Sequence, residues 1–122
     1  MAILITTLAG SCTSARVTTR AAVGPDRNPP CADRVEVRTR VIGKPDLSRN
    51  YWRGKYAEVE ALVLEDGSLT EIRPIGGNDK KLMELLISAA PTWKFEPGSC
   101  GGKPERQWIA LSIDCRPAKK AA

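Results

Sequence analysis

Hydrophobic and polar positions alternate most cleanly over residues 56–65. Ala57, Val59, Ala61 and Val63 fall on one face, and Tyr56, Glu58, Glu60, Leu62 and Leu64 on the other. A period of two is the mark of a half-buried strand. Asp66-Gly67 follows and residues 68–73 resume in the same style, which predicts a hairpin closed by a type I′ turn with positive φ at both turn residues. Pro74 has no N–H to give to a ladder and is expected to end the returning strand. After Gly76-Gly77, Asn78 is the expected N-cap and Asp79 suits the positive helix start. Leu82, Leu85, Leu86 and Ala89 then recur at i, i+3, i+4 and i+7, the apolar stripe of a helix. Pro91 should stop that helix near Ala90. Residues 97–104 are rich in Gly and Pro and read as a loop. Residues 108–115 alternate again, with Ile109, Leu111, Ile113 and Cys115 on one face and Trp108 on the other.

The N-terminal half is less regular. Residues 34–41 set Val35, Val37, Thr39 and Val41 against Arg34, Glu36, Arg38 and Arg40, which predicts one strand. Asp46 is expected to cap a short helical turn within residues 46–53. Residues 13–31 are rich in Thr, Ala, Arg and Pro without an apolar period and read as an unfolded linker. Residues 1–10, MAILITTLAG, are apolar, too short to span a bilayer, and followed by small residues. They read as the end of a secretory signal with a cleavage zone. Residues 8–12 are also similar to a lipoprotein box, with the leucine one place too far from Cys12, so lipidation of Cys12 is a second reading. The predicted organisation is a targeting remnant at 1–12, a linker at 13–31, a basic arm with one strand at 32–55, a folded body at 56–115 and a basic tail at 116–122. The body reads as α+β: a small antiparallel sheet covered on one face by a single main helix.

Length and charge narrow the function classes. A chain of 122 residues carries one core. The net charge of +5 is unevenly placed: residues 32–55 carry +4, residues 56–115 carry −4, and the two flanks supply the excess. A nucleic-acid-binding domain carries its basic surplus on the folded body, so nucleic acid is not the expected partner. The absence of His removes Ser-His-Asp and Cys-His catalysis. No nucleophile–base set or metal-ligand spacing stands out, so neither an enzyme, a cofactor nor a metal is expected. Glu58 and Glu60 share a strand face as a solvated pair. Cys12, Cys31, Cys100 and Cys115 lie too far apart for a zinc cluster and suggest disulfides in an oxidising compartment. Three pairings are open, and Cys100–Cys115 is preferred because it closes a loop of about 15 residues, worth about 3 kcal/mol.

The hairpin, the helix, and the run Trp93-Lys94-Phe95-Glu96-Pro97-Gly98 followed by Gly102-Lys103-Pro104 together resemble the C-terminal domain of TonB, the periplasmic energy transducer of Gram-negative bacteria. The resemblance covers residues 55–114 and is carried by Asp66, Gly67, Trp93, Lys94, Phe95, Pro97, Gly102 and Pro104. These positions have a structural meaning: Trp93 and Phe95 bury large area at the sheet junction, Pro97 fixes the exit direction, and the glycines turn the chain into the last strand. The resemblance implies a periplasmic module that binds an extended segment of an outer-membrane transporter by adding it to a sheet edge. The matching edge is Gln107, Trp108, Ile109, Ala110, Leu111, Ser112, Ile113 and Asp114, with Trp108 open to the partner. The family's transducers also have a transmembrane anchor and a proline-rich spacer. These residues show neither, so a binding module is expected rather than a complete transducer. The alternative is a secreted structural domain that forms a homodimer through the same edge.

Overall fold

A computed structural model describes residues 15–22, 27–42 and 45–116. Nine strands and one main helix follow in the order β1 (Arg16–Ala21), β2 (Arg34–Val35), β3 (Arg38–Arg40), β4 (Tyr56–Val63), β5 (Leu69–Gly77), α1 (Lys80–Ala89), β6 (Lys94–Glu96), β7 (Gly98–Cys100), β8 (Lys103–Glu105) and β9 (Gln107–Asp114). Single 3-10 turns at Asn50–Trp52 and Ala90–Thr92 complete the list. The class is α+β with antiparallel pairing throughout. The main sheet runs β1-β9-β4-β5, a smaller one β2-β7-β8, and a ribbon β3-β6.

The period-two pattern of β4 and β9 becomes the core. Ala57, Val59, Ala61 and Val63 are fully buried, as are Leu111 and Ile113, and Ile109 nearly so. Leu82 and Leu86 of α1 pack into the same cluster, with Leu85 and Ala89 half-buried beside it. The helix lies against β4 and β5. Trp93 and Phe95 join that cluster, as expected of core aromatics. The basic arm docks on the acidic body: Val37 and Leu47 are buried in the core, and Trp52 packs against it.

Several local expectations change. The hairpin after β4 is a three-residue loop. Gly67 N–H donates to Leu64 O at 2.9 Å and Leu64 N–H to Ser68 O at 2.8 Å, and Gly67 has φ 87°. Asp66 is not left-handed, so the turn is a type I turn closed by a left-handed glycine and not type I′. β5 does not stop at Pro74 but runs to Gly77, because it is an edge strand and the missing N–H faces away from β4. Asp79, not Asn78, is the N-cap: its Oδ2 accepts from Leu82 N–H at 2.9 Å. Asn78 instead ties two strands' ends, accepting from Tyr56 N–H and donating to Gly54 O. Asp46 accepts from Ser48 N–H in a tight turn, and the only helical turn in that stretch is Asn50–Trp52.

The single strand expected over residues 34–41 is two strands in two sheets. β2 pairs with β7 and β3 with β6. The break lets Val37 turn into the core while Val35 stays half exposed. The loop expected over residues 97–104 is the hairpin β7-β8, turned by Gly101 and Gly102 at φ 60° and 82°. Most consequential, the expected linker holds β1. Arg16–Ala21 pairs with β9 from Arg16↔Asp114 to Ala21↔Ile109 without a register shift.

The disulfide is Cys31–Cys100 and not Cys100–Cys115. Sequence proximity was the wrong guide. The eight-residue strand β9 carries the chain about 25 Å away from the β7-β8 hairpin before it reaches Cys115. Cys115 is itself disulfide-bonded, and no described cysteine is free. Cys12, the targeting remnant and the basic tail beyond Arg116 lie outside the described residues.

Candidate functional site

The expected binding edge, Gln107–Asp114, is an inner strand. β9 pairs with β4 on one side and with β1 on the other over six residues. The chain's own N-terminal segment fills the place assigned to a partner.

Each residue of β9 is accounted for. Gln107 is buried: its Oε1 accepts from Val37 N–H at 3.3 Å and its Nε2 donates to Val35 O at 3.0 Å and to Glu105 at 3.3 Å. It thus joins β9 to β8 and the arm. A Cβ at Gly98 would overlap this amide, so Gly98 is the room Gln107 occupies. Ile109, Leu111 and Ile113 face the core, and Ala110 on the other face is also buried. Ser112 and Thr18 share a hydroxyl hydrogen bond of 2.6 Å. Asp114 is bonded by Arg116 through both carboxylate oxygens, with Arg16 at 4.0 Å. The Arg116 hydrogen bond is the main reason its carboxyl is held below the ordinary range.

Trp108 is not open to a partner. Asn28 clasps its backbone with both ends of its amide: Trp108 N–H donates to Asn28 Oδ1 at 2.9 Å, and Asn28 Nδ2 donates to Trp108 O at 3.0 Å. Ala22 N–H reaches the same carbonyl at 3.1 Å. The Arg27 guanidinium stacks on the indole at 4.4 Å and pairs with Glu60 at 2.9 Å. Glu60 is buried on β4 and held from the other side by Arg73 at 2.7 Å. A cleft of about 470 Å³ beside Trp108 is lined by Leu62, Arg27 and Arg106, but Arg27 is committed to Glu60 and Arg106 to Glu65.

The residues behind the TonB resemblance fall in structural places. Asp66 and Gly67 form the hairpin loop, Trp93 and Phe95 are core, and Lys94 is exposed on β6. Pro97 leads into the β7-β8 hairpin, where Gly102 sits in the turn and Pro104 on β8. Among the described residues, the only cluster with metal-ligand geometry is Cys31, Cys100 and Glu105, and its sulfurs are bonded to each other.

Two long backbone edges of the main sheet remain. The β5 edge is interrupted. It carries Pro74, Glu71 sits at φ 51°, and its pairing with β4 shifts register twice. These are the features that blunt an edge against strand addition. The β1 edge is different. It is six residues in unbroken register, and among the described residues no strand pairs with its outer side. Sequence reading missed it because Thr and Arg disguised an R-V-T-T-R-A alternation, in which Val17, Thr19 and Ala21 are the half-buried face. Compared with known protein families, characterised proteins and solved structures, the chain matches none.

Proposed function

We propose that this chain is an exported protein-binding module of the TonB C-terminal kind, one that captures an extended segment of an outer-membrane transporter by strand addition, with no catalytic role. The segment adds to the outer edge of β1 and not to β9. The observation that carries the reading is the contrast between the two edges of one sheet: β5 is blunted by Pro74, Glu71 and register shifts, whereas β1 is regular and bordered by exposed Arg16, Thr18 and Arg20. Main-chain groups on such an edge supply affinity, and alternate side chains supply selectivity. The Cys31–Cys100 disulfide supports a periplasmic location, since such bonds persist in oxidising compartments.

Amide hydrogen exchange tests the reading. Transporter-derived extended peptides are expected to raise protection at alternate amides of Arg16–Ala21, with β9 unchanged because its amides are already paired. Unchanged exchange along β1 with every such peptide overturns it.

A further inference from the structure

The surroundings of the β1 edge bear on what kind of segment it would take. Thr19 Oγ1 donates to Thr39 Oγ1 at 2.7 Å, which sets the β3-β6 ribbon beside β1. Across that ribbon Arg38 faces Glu96, Thr39 faces Phe95 and Arg40 faces Lys94. Phe95 is buried and Thr39 half-buried, so they form the inner face, while Arg38, Arg40, Lys94 and Glu96 are exposed on the outer one. Arg40 opposite Lys94 places two cations directly across a ladder, an arrangement that costs stability. Among the described residues, neither Arg38, Arg40 nor Lys94 forms an ion pair, although most other arginines of the fold do. On β1 itself the charges are engaged, Arg20 by Glu58 at 2.6 Å and Arg16 by Asp114 at 4.0 Å. The uncommitted positive charge beside the edge therefore belongs to the ribbon, with Glu96 as its single counter-charge.

We infer that the partner of this edge is an acidic extended peptide whose carboxylates at alternate positions meet Arg38, Arg40 and Lys94. The inference rests on the strand-addition reading. Residues two apart on a strand stand roughly 7 Å apart on one face. Arg38 and Arg40 have that spacing, so a ligand with Glu or Asp at positions i and i+2 matches them in register. Binding would also relieve the repulsion between Arg40 and Lys94 that the free protein carries. A neutral peptide gains the backbone bonds alone.

Three strand-length peptides of one sequence, with Glu, Gln or Lys at the alternate positions, test this against the intact protein, with calorimetry for affinity and amide exchange for location. The Glu peptide is expected to bind at least about tenfold tighter than the Gln peptide at low salt, with the gap closing as salt screens the charges. The triple variant Arg38→Gln, Arg40→Gln, Lys94→Gln is expected to abolish that gap and leave Gln-peptide affinity unchanged. Equal affinity of the Glu and Gln peptides, with β1 protected by both, overturns acid selection and leaves strand addition standing. No protection of β1 by any peptide removes strand addition and the inference together. A short oligothymidine that binds the same three cations with β1 unprotected, or a concentration-dependent dimer that buries β1, also overturns it.

Discussion

Gly67 meets two demands at once. Its φ of 87° lies where only glycine is at ease, and a Cβ there would stand 2.5 Å from the Phe95 carbonyl oxygen. Gly54 has a similar φ of 79° but open space around it. Gly67→Ala is therefore expected to cost clearly more than Gly54→Ala, by more than about 1 kcal/mol, read from urea midpoints. Equal costs would show that the backbone conformation alone matters. The Asp66-Gly67 pair was legible as a turn, but the left-handed requirement falls on one residue, because the loop closes with three residues. Asp79 shows a similar limit. Asn78 and Asp79 are both good caps by residue type, and the choice is made by Asn78's two bonds to Tyr56 and Gly54, which no local rule reveals. Asp79 accepts from Tyr51 Oη at 2.6 Å and from Leu82 N–H, with Lys55 at 3.5 Å. The Tyr51 hydrogen bond is the leading cause that lowers its pKa below the ordinary 3.8. A carboxyl lowered on folding contributes stability that is complete above its unfolded pKa and lost as pH falls through the folded one. Asp79→Asn should therefore flatten the acid limb of the stability curve below about pH 4, and Tyr51→Phe should flatten it in part. An unaltered acid limb in both variants counts against this role.

At the scale of elements, periodicity was readable wherever one face of a strand meets the core. β4, α1 and β9 were legible for that reason, since Val59, Leu86 and Leu111 are fully buried. It failed where short strands are held by partners distant in sequence. β2 and β3 look like one strand by alternation, yet the Gln107 amide captures Val37 N–H between them and splits the segment over two sheets. β1 carries only Val17, Thr19 and Ala21 on its inner side, too little apolar character to stand out from a linker. Its place depends on long-range bonds, of which the Asn28 clasp on Trp108 is the most economical, one amide serving both a donor and an acceptor of β9. Asn28→Ala leaves Trp108 N–H without that acceptor, at a cost of about 1–3 kcal/mol. Exchange of the Trp108 and Ala22 amides is expected to accelerate while Leu111 stays protected. Should Trp108 exchange at its former rate, β1 is held by its ladder alone and the clasp is incidental.

The whole molecule is a main sheet with its helix, to which the N-terminal third is fastened as a strap. The strap is held on the acidic face by Arg27–Glu60 and Arg20–Glu58, and its far end is pinned by Cys31–Cys100. The opposite charges of arm and body were visible in the sequence, and so was their docking. The pairing of cysteines was not, because it depends on which end of β9 the β7-β8 hairpin occupies. A non-reducing peptide map should return Cys31 linked to Cys100. This bond spans 69 residues of sequence, so on the chain-entropy model its loss costs about 4 kcal/mol, more than a short-range bridge would. The double variant Cys31→Ser, Cys100→Ser should show a lower Tm. The loss should be uneven in space. The residues that dominate the core, among them Leu82, Leu86, Ile109, Leu111 and Ile113, belong to α1 and the main sheet, whereas Cys31 and Cys100 clamp only the strap and the small β2-β7-β8 sheet. Exchange should therefore rise in β2, β7 and β8 and at Trp108, with β4 and the β4-facing side of β9 still protected. If β4 and β2 lose protection together, the strap is as much a part of the folding unit as the sheet. In that case the β1 edge cannot be released without unfolding the domain, and a partner can only add to the sheet and never replace β1 in it.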